Sequence, residues 1–406
     1  DRLYLNDGVG NFEKSEGLLP ELKFSGCSVS AADYDRDGRI DLFVGGKVRP
    51  GNYPESPGSV LLRNTGSGFE DVTVVSAPEL VNSGMVVSST WIDVDNDDWL
   101  DLVFCTQWGP IRVFRNQDGR LVDQTAVAGT ADRKGLFNSL CPGDIDNDGD
   151  IDFVVGNLGL NTDYQADVDH PIYIYHGQFG DSDSSRIVEA VDEGGVIYPR
   201  RGLELLQQYL PELGNQFSSV SSFSRAPLDQ LFSPQVMETA ARLEINCLES
   251  GILVNQTGVD GIRFEFRPLP RAAQTSPIYG AQLADVNGDG HLDLVALQND
   301  SAVFPETVPF DNGMGLLLWG NGKAEFEPVS PLESGLEIQA DGTALTSVDL
   351  NSDDCVDFVA ATRNDGIQYL ASRSRDNACA IDIGKLSGNR VYIGATVDLQ
   401  LSDGSQ

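Results

Sequence analysis

Five nine-residue segments superimpose without gaps: Asp33-Tyr-Asp-Arg-Asp-Gly-Arg-Ile-Asp41, Asp93-Val-Asp-Asn-Asp-Asp-Trp-Leu-Asp101, Asp144-Ile-Asp-Asn-Asp-Gly-Asp-Ile-Asp152, Asp285-Val-Asn-Gly-Asp-Gly-His-Leu-Asp293 and Asp349-Leu-Asn-Ser-Asp-Asp-Cys-Val-Asp357. A sixth, weaker copy, Asp181 to Glu189, keeps oxygen-bearing side chains at positions 1, 3, 5 and 9 but lacks the glycine. Oxygens at positions 1, 3 and 5 of a tightly turning loop converge on one side. A backbone carbonyl at position 7 and a carboxylate at position 9 bring the set to about six or seven oxygens, which suits a hard cation of calcium's size better than magnesium. The candidate ligands are therefore Asp33, Asp35, Asp37, the carbonyl of Arg39, and Asp41 in the first loop. In the second they are Asp93, Asp95, Asp97, the Trp99 carbonyl and Asp101, and in the third Asp144, Asp146, Asp148, the Asp150 carbonyl and Asp152. The weak copy offers Asp181, Asp183, Ser185, the Ile187 carbonyl and Glu189. The last two offer Asp285, Asn287, Asp289, the His291 carbonyl and Asp293, then Asp349, Asn351, Asp353, the Cys355 carbonyl and Asp357. Such a chain would take several Ca2+ ions, on the order of four to six.

Gly38, Gly149 and Gly290 at position 6 permit the positive φ that the turn needs. Asp98 and Asp354 stand there in two copies, and Asp tolerates that region better than most residues. The first half of the pattern also fits the EF-hand signature. An EF-hand needs a glutamate at position 12 and flanking helices, whereas here the closing acid comes at position 9 and a strand-like run follows at once. Calcium in such loops would be chiefly structural, tying adjacent strands together and adding its binding energy to folding; a regulatory role is the alternative.

The elements that must hold these loops are strands. Each strong copy runs directly into a short β-rich apolar segment: Leu42-Phe-Val44, Leu102-Val-Phe104, Phe153-Val-Val155, Leu294-Val-Ala296 and Phe358-Val-Ala360. A further strand follows in most units (Val60–Asn64, Ile111–Asn116, Ile252–Asn255, Leu316–Trp319), then a last short one such as Phe69–Val72 or Phe326–Val329. One unit is thus about four antiparallel strands with the acidic loop joining the first two. Repeated units of this size predict an all-β fold, a β-propeller over residues 1–374, ahead of a β-solenoid with its shorter, more regular coils. Arg2 to Phe12 match the late strands of a unit without its acidic loop. Six loops and this half unit suggest seven four-stranded blades, with six and eight as the neighbouring counts. The long interval between the copies at 181 and 285 contains a different pattern. Leu203, Leu206, Leu210 and Leu213 share one helical face, and Ser233-Pro234 reads as an N-cap and first helical turn of a helix through Arg242. Residues ~195–250 are expected to form a helical insertion between blades, acting as a packing cap on one end of the ring more than as a functional lid.

Composition narrows the function classes. With 62 acidic and 27 basic residues the formal net charge is −35, which argues against nucleic acid and other polyanionic partners. Packing four or five carboxylates into nine residues is self-repulsive unless cations sit among them. Six cysteines without CxxC spacing and only three histidines argue against zinc. The even cysteine count is compatible with disulfides and equally with isolated thiols. No stretch reaches the ~18 apolar residues of a membrane span, so no membrane insertion is expected. The chain opens on Asp1 without a visible signal peptide, as a mature or trimmed chain would.

The Asp-x-Asp/Asn-x-Asp-Gly-x-x-Asp units resemble the FG-GAP or VCBS repeats of the integrin α-subunit propeller and its bacterial relatives. Gly156-Asn-Leu-Gly-Leu-Asn-Thr162, Pro171-Ile-Tyr-Ile-Tyr175 and the insertion look like a bacterial subgroup of such proteins. Asn377–Ile383, Asn389–Ala395 and Val397–Leu401 are similar to the start of an ASPIC/UnbV segment over 375–406, of the kind that cartilage acidic protein carries. The resemblance implies a secreted, periplasmic or cell-surface protein with calcium in its blade loops. It further implies a binding or adhesion module whose partner is an extracellular protein or a carbohydrate. Calcium propellers resembling this one also occur in polysaccharide lyases acting on acidic glycans. On that reading His170, Tyr173, His176, Arg200 and Arg201 would be the candidates. An ion pair for the arginines and strand packing for Tyr173 explain the same residues without catalysis, and no Gly-x-Ser-x-Gly, phosphate loop or HExxH is present.

Overall fold

The computed structural model describes residues 2–372, apart from 181–184, 218, 260, 304–306, 354 and 364. The expected ASPIC/UnbV-like segment at 375–406 lies outside the described residues. The chain begins with a hairpin, β1 (Leu3–Asn6) and β2 (Phe12–Ser15), as the half-unit reading requires. Four strands then form the first blade: β3 (Ser25–Ala32), β4 (Asp41–Val48), β5 (Val60–Asn64) and β6 (Phe69–Asp71), paired antiparallel in chain order. The second blade uses β7 (Met85–Ile92), β8 (Asp101–Pro110), β9 (Arg112–Gln117) and β10 (Arg120–Asp123). The long β8 also receives β11 (Lys134–Leu136) near its far end. In both blades the acidic loop joins the first strand to the second, as expected.

The third blade opens with β12 (Ser139–Gly143) and β13 (Asp152–Gly156), and there the chain leaves it. Residues 157–250 build a separate sheet from β14 (Ile172–Gly177), β15 (Arg186–Asp192), β16 (Ile197–Pro199) and β17 (Ala241–Ile245), in the order β16-β15-β14-β17. Only then do β18 (Gly251–Asn255) and β19 (Phe264–Pro268) complete the blade, β18 pairing with β13. The fourth blade is β20 (Ile278–Ala284), β21 (Asp293–Gln298), β22 (Leu316–Gly320) and β23 (Phe326–Pro328). The last comprises β24 (Gly342–Val348), β25 (Asp357–Thr362) and β26 (Gly366–Leu370). The described residues thus hold five blade sheets and one hairpin. The count of seven assigned a blade to the loop at Asp181, which instead joins β14 to β15 of the insertion.

The apolar runs after each acidic loop are unbroken because both of their faces are covered, and side chains along a strand alternate between the faces. Leu102 and Phe104 of β8 point to the first blade, meeting Phe43 and Leu61. Val103 and Cys105 point the other way, to Phe153 and Val155 of β13. Val154 turns to the fourth blade with Leu294 and Ala296, and Val295 and Leu297 of β21 face Phe358 and Ala360 of β25. Blades therefore stack in series through sheet-to-sheet cores. Each fully buried Leu, Val or Phe contributes about 1.5–3 kcal/mol.

The same alternation fixes the insertion. Ile172 and Ile174 pack with Ile245 against Met85 and Trp108 of the second blade, and Tyr173 and Tyr175 face the opposite way onto helices. Five short helices lie between Leu203 and Thr239 among the described residues. The predicted leucine stripe is buried, but Pro211 breaks the helix between Leu206 and Leu213. Ser233 caps the last helix as expected, its Oγ accepting from Val236 N at 3.4 Å; the helix ends at Thr239 because β17 starts at Ala241. The helices occupy Leu203–Thr239 within the expected ~195–250, but the insertion starts earlier, is half sheet, and sits inside one blade instead of between two. Its ends are tied together. Buried Asn157 donates from its backbone N to Ser250 Oγ (2.9 Å) and from Nδ2 to the carbonyls of Cys247 and Glu249 (3.0 and 3.2 Å), and Gly159 N donates to Leu248 O.

Candidate metal centre

The acidic loops follow one hydrogen-bonding plan. The position-1 carboxylate accepts from the backbone N–H of positions 5 and 6: Asp33 from Asp37 and Gly38 (3.0, 2.8 Å), Asp93 from Asp97 and Asp98 (3.2, 2.7 Å), and Asp144 from Asp148 and Gly149 (3.1, 3.0 Å). Asp285 accepts in the same way from Asp289 and Gly290, and Asp349 accepts from Asp353. The position-5 carboxylate accepts from the N–H of position 7, as in Asp37–Arg39 and Asp289–His291. Position 6 has positive φ in Gly38, Asp98, Gly149 and Gly290, as the sequence suggested. Position 4 has it too (Arg36, Asn96, Asn147, Gly288 and Ser352), a requirement that reading the loops as single-turn devices missed.

Position 9 is the most buried residue of each loop: Asp41, Asp101, Asp152, Asp293 and Asp357 are all 0% exposed. Each joins the loop to the third strand. Asp101 accepts from Val94 N (3.1 Å) and Asn116 N (2.7 Å), and Asp152 from Ile145 N (2.9 Å) and Asn255 N (2.7 Å). Asp293 bonds Val286 N and Gly320 N, and Asp357 bonds Leu350 N and Ser372 N. In loop one Asp41 Oδ1 accepts from Asn64 N while Oδ2 is buried with no hydrogen-bond partner. Burial pushes Asp101 up to about 8, Asp41 to about 7 and Asp152 to about 6.

Three sets of carboxylates close to within 4.8 Å of one another and could hold a metal ion: Asp33, Asp35 and Asp37; Asp93, Asp95 and Asp101; Asp144, Asp146 and Asp152. In the second and third sets a position-3 oxygen, Asp95 Oδ1 and Asp146 Oδ1, is buried without a hydrogen-bond partner. Asp35, Asp95 and Asp146 are all raised above the usual carboxylate range, first by burial and then by the neighbouring position-5 carboxylate. Orphaned buried oxygens beside like charges are costly in a folded chain unless a cation satisfies them. The donor set, all oxygen and mostly carboxylate, fits a hard divalent ion.

Adjacent loops are also linked to each other. Asn116, 0% exposed at the end of β9, donates from Nδ2 to Leu100 O of its own loop and to Tyr34 O of the preceding one (3.0, 2.9 Å). Asn255 does the same with Ile151 O and Val94 O (3.2, 2.9 Å). Across the loop tips, Arg36 donates to Asp98 O and lies over the Trp99 ring, Asn96 donates to Asp150 Oδ1 (2.6 Å), and Asn147 meets His291 Nδ1 (2.8 Å). These are position-4 side chains reaching positions 6 and 7 of the next loop. The recurring Asn64, Asn116 and Asn255 were visible in the sequence as strand ends; only the stacking of blades reveals their partners.

The weak sixth copy has another role. Asp181 and Asp183 lie outside the described residues, and Ser185 is exposed. Ile187 and Glu189 belong to β15, where the Glu189 carboxylate is engaged by Tyr164 Oη (3.1 Å), Arg200 (3.0 Å) and Arg201 (3.0 Å). Two guanidiniums already neutralise it, so it does not close an acidic loop as the alignment suggested. Arg200 also reaches Asp163 (2.7 Å) and lies over the Tyr164 ring. Tyr173 packs on the helices, His176 is buried with Nδ1 3.5 Å from Glu55 Oε1, and His170 is exposed beside Asp167. Cys27, Cys105, Cys141 and Cys247 carry free thiols; Cys379 lies outside the described residues.

A family model described as FG-GAP-like repeat matches residues 1–44, 93–155 and 285–360, stretches that contain all five strong acidic loops. These stretches of the chain are similar to FG-GAP-like repeats. The match skips 45–92 and 156–284, so the insertion lies outside it. No curated protein matches the sequence. Among solved structures, the crystal structure of Chaetomium thermophilum Sqt1 is similar with a TM-score of 0.31 and 10% identity, covering 88% of this chain and 84% of that one. No helix among the described residues is long and apolar enough to cross a membrane.

Proposed function

We propose that this chain is an extracellular calcium-binding propeller that serves as a binding or adhesion module, its calcium chiefly structural. The observation that carries the reading is the pair of buried, unpartnered oxygens, Asp95 Oδ1 and Asp146 Oδ1, each within a set of converging carboxylates. FG-GAP-like repeats and the −35 net charge support the same reading. Calcium would be held by positions 1 and 3, with position 5 in loop one and position 9 in loops two and three, and would supply the positive charge that the loop lacks. The chain's own residues do the rest: position 1 folds the loop by capping its amides, and position 9 clamps it to the third strand. The partner is proposed to be an extracellular protein or a carbohydrate, met by loops on one face. The lyase reading needs Arg200 and Arg201 for substrate carboxylates, and both are engaged by Glu189.

The test is a calcium titration of chelator-stripped protein by calorimetry, paired with melting curves. Saturable binding of several ions and a higher Tm are expected, since each site at 100 times its Kd adds about 2.7 kcal/mol. An unchanged Tm and no heat at millimolar calcium would sink the proposal.

A further inference from the structure

Loop two already contains a cation. Arg115 of β9 places Nε 2.6 Å from Asp95 Oδ2 and Nη2 2.9 Å from Asp97 Oδ2, bridging positions 3 and 5. We infer that Arg115 is a built-in counter-ion that lowers the calcium affinity of loop two, an inference that rests on the calcium reading above.

The register explains why this happens in one blade. Arg63 holds the same place on β5, but its cross-strand partner is Glu70, and the two pair at 3.2 Å. In the second blade the partner across from Arg115 is Val122, which has no charge to offer. The guanidinium turns to the loop instead. In the third and fourth blades the equivalent residues are Val254 and Trp319, each opposite a glutamate. Loop one has its own arginine, Arg39, but this touches Asp37 alone among the ligand positions and gives its Nε to Asn64 O.

One guanidinium does not complete the site. The Asp95 side chain is only 9% exposed, and its Oδ1 is buried and unpartnered although Oδ2 meets Arg115. Asp95 also groups with Asp93 and Asp101 as a set that could hold a metal ion. A calcium ion entering there meets a positive charge already bound to two of its ligands. It must displace Arg115, whose side chain is 36% exposed and has solvent to swing into, or bind against its repulsion.

Calorimetric calcium titrations of the wild type, Arg115→Met and Val122→Glu test this. The first variant deletes the charge and keeps most of the stem. The second leaves every loop residue intact and supplies the acidic cross-strand partner that occupies Arg63 in the first blade. Both are expected to gain one site or to tighten one site by about tenfold or more. Asp95→Asn placed in the Arg115→Met background should abolish the gain and so locate it in loop two. If both variants titrate like a calcium-binding wild type, or bind more weakly, the role of Arg115 is overturned and the calcium reading stands. If neither the wild type nor the variants bind calcium, both fall.

Discussion

Within one loop the acids divide into two jobs. Position 9 is built into the backbone: Asp152 accepts from Ile145 N and Asn255 N in a site closed to solvent. Asp152→Ala should leave both amides unpaired and destabilise the chain by about 2–4 kcal/mol, even without calcium, as read by urea unfolding. Asp146, at position 3 of the same loop, has no such duty. Asp146 offers a buried Oδ1 that bonds nothing in the protein, so Asp146→Asn should leave the metal-free stability within about 1 kcal/mol. It should instead remove part of the calcium-induced rise in Tm. Equal losses in both variants with and without calcium would contradict this division. Spacing alone groups all five positions as ligands; the burial of position 9 and its two amide partners add a structural role that spacing does not show.

Among elements, the third strand turns out to be the organiser. Its terminal asparagine reads two loops at once, and Asn116 satisfies Tyr34 O and Leu100 O from a position without solvent. Asn116→Ala is expected to cost about 2–3 kcal/mol, measured by denaturant midpoint, because two buried carbonyls lose their donor. It should also loosen the first loop, which lies in the neighbouring blade. An effect on loop two alone would refute the link. The strands and the acidic turns were legible in the sequence because short unbroken apolar runs and Asp/Gly spacing are local signals. The insertion was not. Its leucine stripe announced helices, but nothing local says that Gly156 and Gly251 are consecutive steps of one blade. The weak Asp181 copy misled for the same reason: its oxygens matched, while the tertiary neighbours Arg200 and Arg201 had already claimed Glu189.

Over the whole molecule, charge decides stability. A group whose pKa is raised on folding, like Asp101 at about 8 or Asp41 at about 7, keeps its proton in the folded chain after the unfolded chain has lost it. Its contribution is complete below the ordinary carboxylate value of 3.8 and is lost as pH rises toward 8. Metal-free protein should therefore melt lower at pH 8 than at pH 5, and added calcium should raise Tm more at pH 8, where the carboxylates are free to bind it. Melting curves across that range with and without chelator would show it; a calcium effect that shrinks with rising pH would be the contrary result. The tie between Asn157 and the 247–250 segment has a different kind of consequence. While the chain is being made, β13 waits with an open edge until β18 has emerged, and an unfolded linker would leave that edge to chance encounters. Because the detour closes on itself at its own base, its folding delivers Gly251 next to Gly156, and a long wait for a distant partner becomes a short-range encounter.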